Sequence, residues 1–258
     1  MGKAKSISAK TSSERQKKKK AAKVPLLKRL RSVRWSRYLR RVVYIIIAII
    51  AAPLLLTILY RFDGVKPVST LMIADVVTFQ SFKREWRDIE EISPFLVQSV
   101  LVSEDGQFCA HYGVDLGELK AVVEAVLDGE TTRGASTISM QIAKNLFLWG
   151  GRSYVRKAME IPLAIWIDFV IPKDRLMEIY LNIAEWGDGI YGIGAAAPHH
   201  FNRQADNLTR RQAALLAVTL PNPYLRDPAK PSSRMSHVAN VVERRARQSG
   251  AYIGCVSS

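Results

Sequence analysis

The chain reads as mainly α, a helical domain carried on a single N-terminal transmembrane helix. Two observations point there. Val42–Tyr60 is a run of 19 residues without a charge. Beyond residue 84, apolar residues recur at helical rather than alternating spacing, and several of these stretches open on a capping residue. At 258 residues there is room for one medium domain with extensions.

Charge is distributed unevenly. Met1–Arg41 carries 16 Lys and Arg against the single acid Glu14, which leaves 22 charges of each sign in the rest of the chain. Nucleic acid is therefore not an expected partner, because that affinity needs a basic footprint on the folded part. Residues 1–23 are polar with little apolar content, the composition of a disordered tail. Pro25–Arg41 mixes short apolar groups with Lys28, Arg29, Arg31, Arg34, Arg37, Arg40 and Arg41, a pattern suited to anionic headgroups.

As a helix, Val42–Tyr60 would span about 28 Å, close to a bilayer's hydrocarbon thickness. It exceeds the usual apolar region of a cleaved signal and exits into Tyr60, Arg61, Phe62 and Asp63, so an uncleaved anchor is expected. Pro53 is tolerated within it as a kink. The basic excess places the N-terminus in the cytoplasm and the C-terminal domain outside. The division is a basic cytoplasmic tail (1–41), a transmembrane helix (42–60), a linker (61–83) that reads as a short strand or extended chain, and the helical domain (84–258).

Within that domain, Pro94–Ser103 is mostly apolar and reads as a buried helix delivering Glu104 at its end. Asp115 and Glu118 form a capping-box pattern ahead of the stripe Leu119, Val122, Val123, Val126 and Leu127, which Gly129 stops. Ser136 is the expected N-cap of a helix ending near Leu148, and Ser153 of one running through Glu160 with a bend at Pro162. Asp174–Ala184 carries Leu176, Ile179, Tyr180 and Ile183 on one face. Thr209 and Gln212 open a helix that Pro221 ends, and Met235, Val238, Ala239 and Val242 line a last helix ending at Gly250.

Chemistry concentrates between Glu104 and Glu160. Glu104 follows an apolar helix, where partial desolvation would raise its pKa and suit it to act as a base near neutral pH, while its position alone equally fits a surface carboxylate at a helix end. Glu160 has Arg156 and Lys157 one helical turn before it, a spacing that also fits a plain surface salt bridge. Lys144, Arg152, Arg156 and Lys157 fall within 14 positions that hold no acid, next to Gly134, Ser136, Thr137, Gly150 and Gly151. Helix N-terminal amides and cations together suit an anion, with phosphate the natural ligand. The glycine-rich turn lacks the Walker spacing, so a nucleotide loop is not expected. His111, His199, His200 and His237 are scattered, and no protein-built metal site is expected. Cys109 and Cys255 read as structural, and their spacing leaves open whether they bridge.

Five ordered motifs between about Ser93 and Leu225 carry a family resemblance: EDGQFCAHYGVD, GASTISMQIAKNLFL, RKAMEIPLA, RLMEIYLNIAEWGDGIYGIGAAA and LTRRQAALLAVTLPNP. Together they resemble the peptidoglycan glycosyltransferases of glycosyltransferase family 51. With no transpeptidase module expected after Ser258, the chain looks like the monofunctional, biosynthetic branch found in Gram-negative bacteria.

The resemblance implies a lysozyme-like α fold with a second, smaller lobe dipping toward the membrane. It implies lipid II and a lipid-linked growing glycan as substrates, the bacterial inner membrane as location, and cell-wall synthesis or division proteins as partners. Residue by residue, Glu104 matches the acid that deprotonates the acceptor 4-hydroxyl, and Glu160 the second acid near the pyrophosphate. Lys144 and Arg152 match the cations on the leaving diphosphate, with Arg156 and Lys157 in support, and Ser136, Gln141 and Asn145 match polar residues of the cleft. Met140 stands where many members carry Gln, and His200 where Tyr is frequent. A divalent cation, Mg2+ or Mn2+, is expected to be held mainly by the substrate diphosphate rather than by the protein. The competing readings are a lytic enzyme that cleaves existing glycan, which would need a protonated acid for a sugar leaving group, and a non-enzymatic scaffold of the cell-wall machinery.

Overall fold

A computed structural model describes residues 25–129, 136–151, 153–251 and 253–256. The chain forms two compact units, one ending at Ala52 and one beginning at Pro53. In the first, the described residues belong to helix α1 (Pro25–Tyr60), whose Ser36–Tyr60 stretch is long and apolar enough to cross a membrane. Side chains such as Tyr44, Ile45 and Ile49 stand exposed along it, as a lipid-facing helix requires. The polar expectation for 1–23 lies outside the described residues.

The second unit is mainly α. Pro53 and the end of α1 are held by bonds to backbone carbonyls, from Thr57 Oγ1 to Pro53 O (2.7 Å) and from Trp166 Nε1 to Leu54 O (3.2 Å). The orphan C-terminal carbonyls are met by buried Arg175, whose guanidinium donates to Tyr60 O at 3.1 Å and Phe62 O at 3.0 Å while pairing with Glu178. The segment expected as strand or linker contains instead helix α2 (Thr70–Val77), capped by the Ser69 side chain, which accepts from Met72 N.

Helices α3 (Pro94–Glu104), α4 (Leu116–Leu127), α5 (Ile138–Phe147), α6 (Tyr154–Val170), α7 (Lys173–Ile183), α8 (Ile193–Phe201), α9 (Arg210–Thr219) and α10 (Ser233–Arg247) follow. Helix α3 packs with α9 and α10, and α5 packs with α6 and α7, so two groups of helices share one core. Every residue of α7 from Arg175 to Ile183 is buried, so the one-faced stripe expected there understates its position at the centre. Three short strands, β1 (Lys83–Arg84), β2 (Glu185–Gly187) and β3 (Ile190–Tyr191), form a sheet in the order β1-β3-β2, parallel between β1 and β3 and antiparallel between β2 and β3. The start of α8 lies against this edge, where a Cβ on Gly194 would come within 2.3 Å of Glu85 O.

Caps explain most boundaries. Thr209 and Gln212 form the expected capping box of α9, and Ser153 accepts from Arg156 N to open α6, which continues through Pro162. One cap differs. Thr137, not Ser136, caps α5 by accepting from Met140 N, and this leaves the Ser136 hydroxyl free for another partner. Cys109 and Cys255 form a disulfide.

Candidate functional site

Helix α3 has Pro94 in its first turn, where the missing N–H costs nothing, and it buries Leu96, Val97, Val100 and Leu101. Its last residue, Glu104, emerges half-buried into a cleft of about 510 Å3 between α5 and the α9–α10 pair. Glu104, Ser136, Gln141, Arg226, Arg234 and Val238 contribute to its walls. Asp105, buried at the end of α3, accepts from Ile138 N at 2.9 Å and pairs with His111 Nε2 at 2.9 Å, which ties the loop after Glu104 to the start of α5.

The Glu104 carboxylate accepts from Gln141 Nε2 at 3.1 Å and from Ser103 Oγ at 3.4 Å. Gln141 Oε1 in turn accepts from the buried Tyr180 hydroxyl at 2.9 Å. Burial pushes the Glu104 carboxyl above its ordinary range, opposed by those two bonds and by the charges of Arg226 and Lys144. Such a carboxylate, when ionised, is a stronger base than an exposed one.

The second acid is engaged differently. Glu160 is 3% exposed, and its two oxygens are taken by Arg156 and, at 3.0 Å, by Lys157 Nζ. Lys157 Nζ also donates to Ser136 Oγ at 2.7 Å, so the cation group reaches the cleft through a residue of its wall. The pairing is more than a surface helix bridge, because one buried carboxylate gathers two cations at the cleft edge. Burial, followed by the charge of Arg156, pushes Lys144 and Lys157 below the ordinary lysine range. Cations that depress one another in this way are stabilised by an incoming anion.

Glu104, Lys144, Arg156, Lys157, Glu160, Ser136 and Gln141 are thus joined by bonds, ion pairs or direct electrostatic coupling. Asn145 is not among the residues lining the cleft; its backbone carbonyl accepts from Thr70 Oγ1 at 3.2 Å. Arg152 lies outside the described residues. Sequence reasoning missed Tyr180 as a polar contributor, having read it as core, and missed Arg226 and Arg234. Arg226 lies three residues beyond the last matching motif, in the proline-rich PNPYLRDP turn, and a lone cation in that turn was the available signal.

A helical domain with a half-buried carboxylate in a cleft and a crowded cation cluster at its edge defines a class: a group-transfer domain. The comparisons identify the family. Residues 72–247 match the family described as transglycosylase, and the chain belongs to it. It is 57% identical over 222 residues to the biosynthetic peptidoglycan transglycosylase of Rhizobium meliloti (strain 1021), covering 86% of this chain and 94% of that protein. It is 58% identical over 217 residues to that of Agrobacterium fabrum (strain C58), covering 84% and 96%. Against that of Brucella suis biovar 1 the identity is 54% over 222 residues, covering 86% and 99%.

Proposed function

We propose that the chain is a peptidoglycan glycosyltransferase of cell-wall synthesis that polymerises lipid II by inverting transfer of a lipid-linked glycan strand onto the 4-hydroxyl of lipid II. The observation that carries this reading is the division of the site: one carboxylate that burial makes more basic, and a separate cluster in which Lys144 stands near Arg156 and Lys157, which share the single buried carboxylate of Glu160. A sugar hydroxyl needs its proton removed as the new bond forms, and Glu104 takes it. The hydroxyl oxygen attacks the anomeric carbon of the strand, and the bond from that carbon to the diphosphate oxygen breaks on the opposite face. One displacement turns the α-linked donor into a β-linked product.

The diphosphate departs as an anion, so charge stabilisation serves it better than a proton donor. Lys144, Arg156 and Lys157, with Arg152 by sequence match, supply that charge. Glu160 contributes by holding Arg156 and Lys157 in place. Both Glu160 oxygens are engaged by Arg156 and Lys157, and among the described residues no three His, Cys, Asp or Glu side chains converge. A Mg2+ or Mn2+ ion would be bound through phosphate oxygens of the substrate.

Location follows from substrate. A carrier lipid that stays in the bilayer requires a site held at the membrane surface, which gives α1 its role as an anchor in the bacterial inner membrane. The basic residues before the span favour a cytoplasmic N-terminus. The Cys109–Cys255 disulfide favours an oxidising compartment, the periplasm, for the domain. Exposed Phe169 beside Trp166, which bonds to α1, supports a domain surface that touches lipid.

The test is purified full chain in detergent with lipid II. Glu104→Gln is expected to abolish polymer while the protein stays folded, and normal polymer from that variant would overturn the assignment. Soluble muropeptides released from isolated sacculi, without polymerisation of lipid II, would instead identify a lytic enzyme.

A further inference from the structure

Gln141 meets Glu104 through a carboxamide, a group with two unlike ends. Only its Nε2 end can donate to the carboxylate; the Oε1 end would set acceptor against acceptor. A half-turn about the terminal bond exchanges the two, and nothing in the Gln141–Glu104 pair alone holds the carboxamide when Glu104 changes protonation, because a protonated Glu104 can itself donate to Oε1. A tyrosine hydroxyl can donate to Oε1 or accept from Nε2, but only the first order ends in a charge-assisted bond to an ionised Glu104, and the hydroxyl's donation polarises the carboxamide toward that bond. Tyr180 is 1% exposed on α7, where every neighbour from Arg175 to Ile183 is also buried, and its hydroxyl donates to Gln141 Oε1 at 2.9 Å.

We propose that Tyr180 is a positioning residue for the transfer: its hydroxyl, fixed by α7, holds the Gln141 carboxamide with Nε2 toward Glu104, keeping that carboxylate ionised and aimed into the cleft. The inference rests on Glu104 being the base. Burial pushes the Tyr180 hydroxyl well above its ordinary range, with the charges of Glu104 and Asp105 adding to the effect, so the proton it donates stays in place across the working pH. The groups that face Glu104 are Ser103 on its own helix, Gln141 and Lys144 from α5, Tyr180 from α7 through Gln141, Arg226 from the turn after α9, and Arg234 across the cleft from α10. Of these, Gln141 is the largest influence opposing the burial that drives Glu104 toward its neutral form, which makes its orientation consequential.

Initial rates of lipid II polymerisation by the full chain in detergent, followed against pH, test the relay. Tyr180→Phe keeps the ring and removes the hydroxyl. Its rate is expected to fall by about three- to tenfold on the acid side and to recover at alkaline pH, the acid limb moving upward by about half to one unit, with KM for lipid II nearly unchanged. Gln141→Met should move the limb in the same direction, and adding Tyr180→Phe to it should move it no further. If Tyr180→Phe folds poorly, 3-fluorotyrosine at 180 keeps the shape and strengthens the donor, and the limb should move downward. An unmoved limb in Tyr180→Phe or 3-fluorotyrosine protein, or additive shifts in the double variant, overturns the relay. If Glu104→Gln is inactive and the limb is unmoved, the relay alone fails; if Glu104→Gln polymerises normally, the base assignment and the relay fall together.

Discussion

Glu104 sits where burial opposes its charge, and that opposition should be visible in stability as well as in rate. A carboxyl whose folded pKa is raised binds more protons folded than unfolded between its two pKa values, so stability falls as pH climbs from the unfolded value through the folded one. Glu104→Gln cannot titrate and escapes that loss. The variant is expected to melt at or above the wild-type temperature at neutral pH, with its advantage shrinking below the ordinary carboxylate range, as scanning fluorimetry at pH 4 and pH 7 would measure. Lys144 carries a related tension, since burial and Arg156 disfavour its charge. Lys144→Ala is expected to lower kcat by about 10²-fold, the size of effect of removing one group that stabilises developing charge, while the melting temperature changes little. A parallel loss of both would place Lys144 in the structure rather than in the chemistry. Glu160→Gln removes the buried carboxylate that Arg156 and the half-buried Lys157 share, and should weaken both activity and folding because both cations lose that partner.

Elements meet tightly where the loop after α3 passes α6. Gly113 has φ +79°, and a Cβ there would lie 2.5 Å from Ala164 O, a backbone atom that cannot step aside without moving α6. The Gly113 carbonyl also accepts from Thr137 Oγ1, the cap of α5, at 2.6 Å. Gly113→Ala is therefore expected to destabilise by about 2 kcal/mol or more and to disturb Glu104 and the α5 start together, measurable as a lowered denaturant midpoint with reduced kcat. Helices with a strong stripe and a side-chain cap, such as α9 after Thr209, were legible in the sequence because local chemistry sets their ends. Glu104 at the close of α3 and the Arg156–Lys157–Glu160 spacing were legible for the same reason. Helix α2 was not: its β-branched residues suggested extended chain, although Ser69 supplied a cap signal. The β2–β3 pair escaped notice because strands of three and two residues are too short to show alternation. Tyr180 was read as core from its spacing, and it is buried; that its hydroxyl reaches Gln141 depends on how α7 lies against α5, which periodicity within one helix does not encode.

At the scale of the whole molecule, charge and covalent linkage act on different parts of the chain. The net +15 resides in Met1–Arg41, before the apolar helix, whereas both cysteines lie after it. The disulfide joins Cys109, five residues beyond Glu104, to Cys255 beyond α10, a separation of 146 residues that encloses α4 to α10 and therefore the α5 and α9–α10 walls of the cleft. In the chain-entropy account, a loop of that length is worth about 5 kcal/mol of unfolded-state restriction. Because the bridge also fastens the segment after α10 to the loop that follows Glu104, its loss should affect more than stability. Cys109→Ser, and wild-type protein treated with a reductant, are expected to melt several degrees lower and to lose activity before the melting transition, as the loop and α10 move independently. The same bond reports topology. Protein recovered from intact cells under thiol blocking should be oxidised, giving a mobility shift on reduction, if the domain is outside the cytoplasm. Fully reduced cysteines in that sample would mean that the basic tail does not face inward, and the lipid-linked substrate would then have to be sought on the other side of the membrane.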